Sequence, residues 1–401
     1  MIDLDTQLAR LTDNVAEIVP LDAFKAKLAQ SIETQTPLRV KFGADPSRPD
    51  LHLGHTVVLR KLRQFQDCGH HVDFIIGDFT ASIGDPTGRN KTRPPLTAEA
   101  IAEYSKTYQD QVFRILDPAK TTVHYNSHWL GALSQTDLIR WLSTVTVQQL
   151  LARDDFTKRY HSQVPIHLHE CLYPVLQAYD SVHVRADIEC GGTDQKFNLL
   201  LARDFQKTAD QPQQAVLMMP ILEGLDGEKK MSKSLGNAIG ITDSPADMFG
   251  KVMSIADPLM FRYYALLTDW GSPRIEALRQ AIEAETVHPM TAKKQLAHCI
   301  VSERYDAAAA DVAQAQFERQ FSNNEYPDSM PDHPHASATV HWPSVLVEAA
   351  MAPSKKEARR LLDQGAIKLN RVVQTEAEIV WDQQTSVVQV GKRNFFRLIA
   401  E

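Results

Sequence analysis

Between residues 37 and 222 the chain alternates short apolar runs with longer stretches in which apolar residues recur every three or four positions. "PLRVKFGA" (37–44), "HVDFIIGDF" (71–79), "VRADIECGG" (184–192) and "AVLMMPIL" (215–222) read as buried strands. "TVVLRKLRQFQDCG" (56–69) reads as an amphipathic helix, with Val58, Leu62 and Phe65 on one stripe and Gly69 as its stop. A second helix is expected from Gln195 to about Phe205, and a mostly helical insertion over about 110–180. Strands alternating with helices predict an α/β fold, a mostly parallel sheet covered on both faces.

From about 244 to 320 the period is helical throughout. "SNNEYPDSMPDHPHASA" (322–338) then breaks it with three prolines and small polar residues. Beyond it, "PSKKEARRLLDQGAIKLN" carries a capping box (Ser354 with Glu357), a short helix, a stop at Gly365 and a strand. "TSVVQVGKRNFFRLI" reads as two strands across a turn. The expected organisation is a catalytic α/β domain over 1–225, a helical domain over 226–320, a linker over 321–338 and a small α+β domain over 339–401.

Composition narrows this picture. The 401 residues are 43% hydrophobic and 23% charged, as in ordinary globular proteins. The N-terminus lacks the basic and apolar regions of a secretory signal, and no apolar run is long enough to span a membrane. The four cysteines, Cys68, Cys171, Cys190 and Cys299, form no CxxC pair. A reduced, cytoplasmic protein is expected. The formal net charge is -7, which disfavours general nucleic-acid binding, but residues 339–401 carry nine Lys+Arg against seven Asp+Glu. That segment is the first candidate to meet a nucleic acid.

Four polar clusters are expected at the strand ends of one sheet, the place where open α/β sheets bind ligands. "GADPSRPDLHLGHT" (43–56) puts His52 and His55 three apart around Gly54, near a helix N-terminus suited to phosphate. "TASIGDPTGRNKTRP" (80–94) combines Asp85 with Arg89, Lys91 and Arg93. "YPVLQAYDS" (173–181) spaces Tyr173, Gln177 and Asp180 along one helix face. "GGTDQ" (191–195) offers two glycines for close approach and Asp194 for a ribose hydroxyl. "KKMSKSLGN" (229–237) follows the last strand with three lysines. Taken singly, each has an ordinary reading as a turn, a solvated face or surface histidines. Together they predict a nucleotide site with a second pocket beside it, and no GxxxxGK[ST] is present to make it a P-loop.

"HLGH" (52–55) resembles the HIGH signature of class I aminoacyl-tRNA synthetases, and "KMSKS" (230–234) resembles their second signature. "LQAYDS", "GGTDQ" and "GDPTG" are similar to segments of the bacterial-type tyrosyl-tRNA synthetases, of which the chain resembles a second branch. The tail resembles an RNA-binding domain shared with a small-subunit ribosomal protein (S-four-like). The resemblance implies a Rossmann-like catalytic domain acting on ATP with Mg2+, L-tyrosine and tRNA(Tyr), with no tightly bound metal. It also implies a homodimer, with the 110–180 insertion as its interface.

Carried over by position, Tyr173, Gln177 and Asp85 would hold the substrate ammonium, Asp180 would accept from the phenolic hydroxyl, and Gln195 would line the same pocket. Asp45, Gly54, Gly192 and Asp194 would contact the adenylate, with His52 and His55 on its phosphate and ribose. Lys230, Lys233, Arg89 and Arg93 would neutralise the leaving pyrophosphate. Lys41 stands where the better-known branch has a hydroxyl-binding tyrosine, and is expected in the tyrosine pocket. A tryptophan-specific relative is the nearest rival; Asp180 and the tail argue against it.

Overall fold

A computed structural model describes residues 2–87, 96–322, 330–391 and 394–400. The chain divides into two compact units, residues 1–307 and 308–401.

The first unit is built on a six-stranded sheet of β1 (Glu17–Val19), β2 (Arg39–Ala44), β3 (His71–Ile76), β4 (Thr121–Tyr125), β5 (Ile188–Gly192) and β6 (Ala215–Met219), ordered β1-β6-β5-β2-β3-β4. Strands β2 to β6 run parallel, and β1 joins the edge antiparallel to β6. Every residue of β6 is buried, as expected of a parallel strand covered on both faces. That is why its sequence is one apolar run.

Strand β4 adds to the mostly helical insertion a strand that was not expected there. Its "TTVHY" pairs in parallel with β3 but occupies the sheet edge and stays half-exposed, so it needs no apolar run. Helices then follow to residue 184.

Three helices position the site. The first, α1 (Leu53–Asp67), buries Leu53, Val57, Val58, Leu62 and Phe65. The second, α2 (Leu168–Val184), packs on the third, α3 (Lys196–Thr208): Val175, Ala178 and Val182 share a core with Leu201, Ala202 and Phe205. Helices α4 (Pro245–Met253), α5 (Asp257–Leu267) and α6 (Pro289–Arg304) follow, as the helical period predicts.

The second unit has strands β7 (Asp332–His335), β8 (Thr339–His341), β9 (Ile367–Leu369), β10 (Val372–Val373), β11 (Glu378–Val380), β12 (Thr385–Val390) and β13 (Asn394–Ala400). Five form a sheet in the order β10-β9-β12-β13-β7, and β8 pairs with β11. Helices α7 (Trp342–Glu348) and α8 (Lys355–Asp363) join them, and all but the first residue of the helix Ala307–Ser322 falls in this unit. Its core gathers Trp342, Leu346, Leu362, Val388, Phe396 and Leu398. The Ser354 hydroxyl accepts from the Glu357 N–H at 3.3 Å, so the hydroxyl half of the expected cap is present. Strand β7 lies inside the segment expected to be a linker. It pairs in parallel with β13 at the sheet edge, where Pro334 removes no ladder bond that a central strand would need.

Candidate active site

The carboxyl ends of β2, β3 and β5 open onto a cavity of ≈ 320 Å³. Asp45, His52, Gly54, His55, Asp85, Tyr173, Gln177, Asp180, Gly192, Asp194, Gln195, Lys230 and Lys233 all line it. The five sequence clusters therefore converge on one place. Arg89 and Arg93 lie outside the described residues.

One group of polar residues is anchored on α2, which turns Tyr173, Gln177 and Asp180 to the cavity. The Tyr173 hydroxyl donates to Asp45 Oδ2 at 2.9 Å, and the Thr80 hydroxyl to Asp45 Oδ1 at 2.7 Å. Burial raises the Tyr173 phenol well above its ordinary value, so it remains a donor at neutral pH. Asp85 accepts from Gln195 Nε2 and from the Thr87 N–H, both at 2.9 Å.

Asp180 is buried, and its carboxylate accepts from Trp129 Nε1 at 2.8 Å and Asn126 Nδ2 at 3.2 Å. Burial pushes its pKa up to about 6; the charge of Lys41 and these two donors restrain the rise. Asn126 and Trp129 carry no motif of their own. They follow β4, and only that strand's position in the sheet would have pointed to them.

Lys41 is not where the resemblance put it. It is fully buried and does not line the cavity, whereas its neighbour Phe42 does. Successive side chains on a strand face opposite sides of the sheet. The Lys41 ammonium bonds Glu189 at 2.8 Å, Ser181 Oγ at 2.7 Å and the Gln177 carbonyl at 3.0 Å. Lys41 acts on Asp180 through its field.

A second group comprises the histidine pair and the lysine loop. His52 caps α1: its Nδ1 accepts from the Gly54 N–H at 3.2 Å, while His55 Nδ1 accepts from the His52 N–H at 3.1 Å. A backbone N–H only donates, so each Nδ1 is unprotonated and each neutral ring carries its proton on Nε2. Burial depresses the pKa values to about 2 for His52 and about 4 for His55. Both are neutral hydrogen-bond donors at pH 7.

The lysine loop is tied to this pair. Leu53 N–H donates to the Ile239 carbonyl at 2.9 Å, and Ile241 N–H to the Leu51 carbonyl at 3.2 Å. A side chain at Gly54 would stand 3.0 Å from the His52 ring and 3.6 Å from Met231. At the loop base, Asn237 Oδ1 accepts from the Ser232 N–H at 2.8 Å and Asn237 Nδ2 donates to Asp226 at 2.9 Å. A Cβ on Gly224 would lie 2.3 Å from that amide, so glycine alone fits there. Lys230 pairs with Asp194 at 3.2 Å and Lys233 with Asp50 at 2.9 Å, both partly exposed. Exposed pairs contribute only about 0–1 kcal/mol, so both lysines exchange partners at small cost.

Among the described residues no cluster of three or more His, Cys, Asp or Glu could hold a metal ion, and no helix is long and apolar enough to cross a membrane.

Comparison with known proteins gives the family of the chain. The family described as "tRNA synthetases class I (W and Y)" matches residues 33–322, and "Tyrosine--tRNA ligase SYY-like C-terminal domain" matches residues 323–398. The chain is 48% identical to a tyrosine–tRNA ligase of Syntrophotalea carbinolica, covering 99% of this chain and 98% of the relative. It is 47% identical to "Tyrosine--tRNA ligase 2" of Vibrio parahaemolyticus, covering 99% of each. Among solved structures, the tyrosyl-tRNA synthetase of Archaeoglobus fulgidus complexed with L-tyrosine shares the fold, with a TM-score of 0.61 at 24% identity over 77% of this chain and 99% of that one.

Proposed function

Because the chain belongs to the class I tRNA synthetases of the tryptophan and tyrosine group, we propose that its strand-end cavity makes tyrosyl-adenylate. Its activity is that of a tyrosine–tRNA ligase: L-tyrosine is activated with ATP and then transferred to the 3′ end of tRNA(Tyr). The observation that carries the site assignment is the buried Asp180, held by Trp129 and Asn126 in a cavity that also contains the histidine pair and both lysines.

In this reading the tyrosine hydroxyl donates to Asp180, and the ammonium meets Asp85, Tyr173 and Gln177. The substrate carboxylate is already ionised at pH 7 and attacks the α-phosphorus without a general base. The α-phosphorus–oxygen bond to pyrophosphate breaks as the new one forms. The neutral His52 and His55 donate from Nε2 to phosphate oxygens, and Lys230 and Lys233 meet the charge growing on pyrophosphate. Asp194 and Gly192 face the ribose. Magnesium belongs to the nucleotide substrate, MgATP. A terminal ribose hydroxyl of tRNA then attacks the adenylate carbonyl and displaces AMP. The exposed basic side of α8 (Lys355, Lys356, Arg359, Arg360) supports a tRNA contact by the second unit. The test is ATP–pyrophosphate exchange: tyrosine should drive it, and exchange driven equally by phenylalanine or tryptophan would overturn the assignment.

The pH dependence follows from the same groups. Asp180 accepts the phenol only when ionised, and its pKa is about 6. As pH falls through 6 it takes up a proton, and kcat/KM for tyrosine is expected to fall; above 6 the profile should be flat. The histidines, already neutral above about 4, add no limb between pH 5 and 8. An acid limb that survives Asp180→Asn would contradict this.

A homodimer in the cytoplasm completes the reading. The insertion leaves Ile139 67%, Val147 70%, Tyr160 58% and Leu168 86% exposed, one large apolar side chain on each of four helices. Light scattering should give twice the chain mass, and a monomer at micromolar concentration would refute it.

A further inference from the structure

We propose that Arg153, which does not line the cavity, is a positioning residue that fixes the direction of every amide around the substrate ammonium. It precedes the short helix Asp154–His161 of the insertion and is 4% exposed. Its guanidinium lies 4.9 Å from the Phe156 ring centroid and 5.3 Å from that of Phe197, and pairs with Asp155 at 3.2 Å. From there Nη1 donates to Asn198 Oδ1 at 2.9 Å and Nη2 to Thr87 Oγ1 at 3.1 Å.

The chemistry of the two ends dictates the polarity between them. Arginine has donors only, so it is the oxygen of Asn198 that must face it. The Asn198 nitrogen is thereby turned to Gln177 Oε1 and Gln195 Oε1, both at 2.9 Å. With its oxygen so engaged, Gln195 presents Nε2 to Asp85, which as a carboxylate only accepts. The second arm closes the ring, because Thr87 N–H donates to the other Asp85 oxygen. Donor meets acceptor at each step from Arg153 to Asp85. Without the guanidinium only Asp85, acting through Gln195, holds Asn198 in this sense, and a flipped Asn198 would point its oxygen at the oxygens of Gln177 and Gln195. Asp85 would then lose the Gln195 hydrogen bond and its fixed orientation toward the ammonium.

The inference rests on the assignment of the ammonium to Asp85, Tyr173 and Gln177, and one set of binding measurements separates the two. Tyrosine, tyramine (ammonium, no carboxylate) and 3-(4-hydroxyphenyl)propionate (carboxylate, no ammonium) are titrated calorimetrically into the wild type, Arg153→Met and Asn198→Asp. Asn198→Asp keeps the acceptor that Arg153 requires but cannot donate to either glutamine. Both variants are expected to weaken tyrosine and tyramine about tenfold, the scale of one hydrogen bond to a charged group, and to leave the desamino acid and KM for ATP within about twofold. If the wild type binds the desamino acid as tightly as tyrosine, the ammonium assignment fails. If the wild type distinguishes them and the variants weaken all three probes alike, or none, the positioning role of Arg153 fails. Should Arg153→Met not melt cooperatively, Asn198→Asp decides by the same comparison.

Discussion

Asp180→Asn is expected to raise KM for tyrosine by about 100-fold, with KM for ATP nearly unchanged, and to remove most of the discrimination against phenylalanine. The side chains are the same size, so the change is one of charge and polarity. Trp129 and Asn126 both donate to the carboxylate. A carboxylate accepts both and the phenol besides; an amide has one acceptor and turns a donor toward a donor. Losing a hydrogen bond to a buried charge, and leaving its partners unmatched, costs about 3 kcal/mol, which is about two decades in binding. Steady-state exchange with both amino acids measures this. Unchanged rejection of phenylalanine would mean that another group reads the hydroxyl.

Lys233→Ala is expected to slow adenylate formation by about 30- to 1000-fold, the equivalent of about 2–4 kcal/mol of transition-state stabilisation. Tyrosine affinity should hardly move, because Lys233 rests on Asp50 and, among the described residues, pairs with none of the amino-acid pocket. Presteady-state rates with equilibrium tyrosine binding separate the two. An equal loss of tyrosine affinity would show that the loop shapes the amino-acid pocket and does not act on pyrophosphate alone.

The sequence made the inner parallel strands legible because the sheet around them is covered, and a strand such as β6, buried on both faces, has to be apolar throughout. It made the helix face of Tyr173, Gln177 and Asp180 legible because a helix repeats every 3.6 residues. Edge strands carry no such burden. "TTVHY" and "DHPH" look like loop or helix, and the residues that depend on such strands, Asn126 among them, are hidden with them. Lys41 shows a further limit. Position along a strand gave its neighbourhood, but which face it took, and its burial against Glu189, followed from packing that no local pattern records. Arg153 is 45 residues from Asn198 and 66 from Thr87, and no spacing rule links them.

Two lysines of the 229–237 loop arrive with a carboxylate each, Asp194 for Lys230 and Asp50 for Lys233. On the proposed function the site would behave as a small ion exchanger: a polyphosphate that took the lysines would release two anionic side chains. Dissolved salt loosens the resting pairs as well as the new ones, so the two screening effects partly cancel. Nucleotide capture should then depend less steeply on ionic strength than it would on a patch of unpaired lysines, and tRNA, if it meets the exposed basic side of α8 as proposed, should feel salt far more.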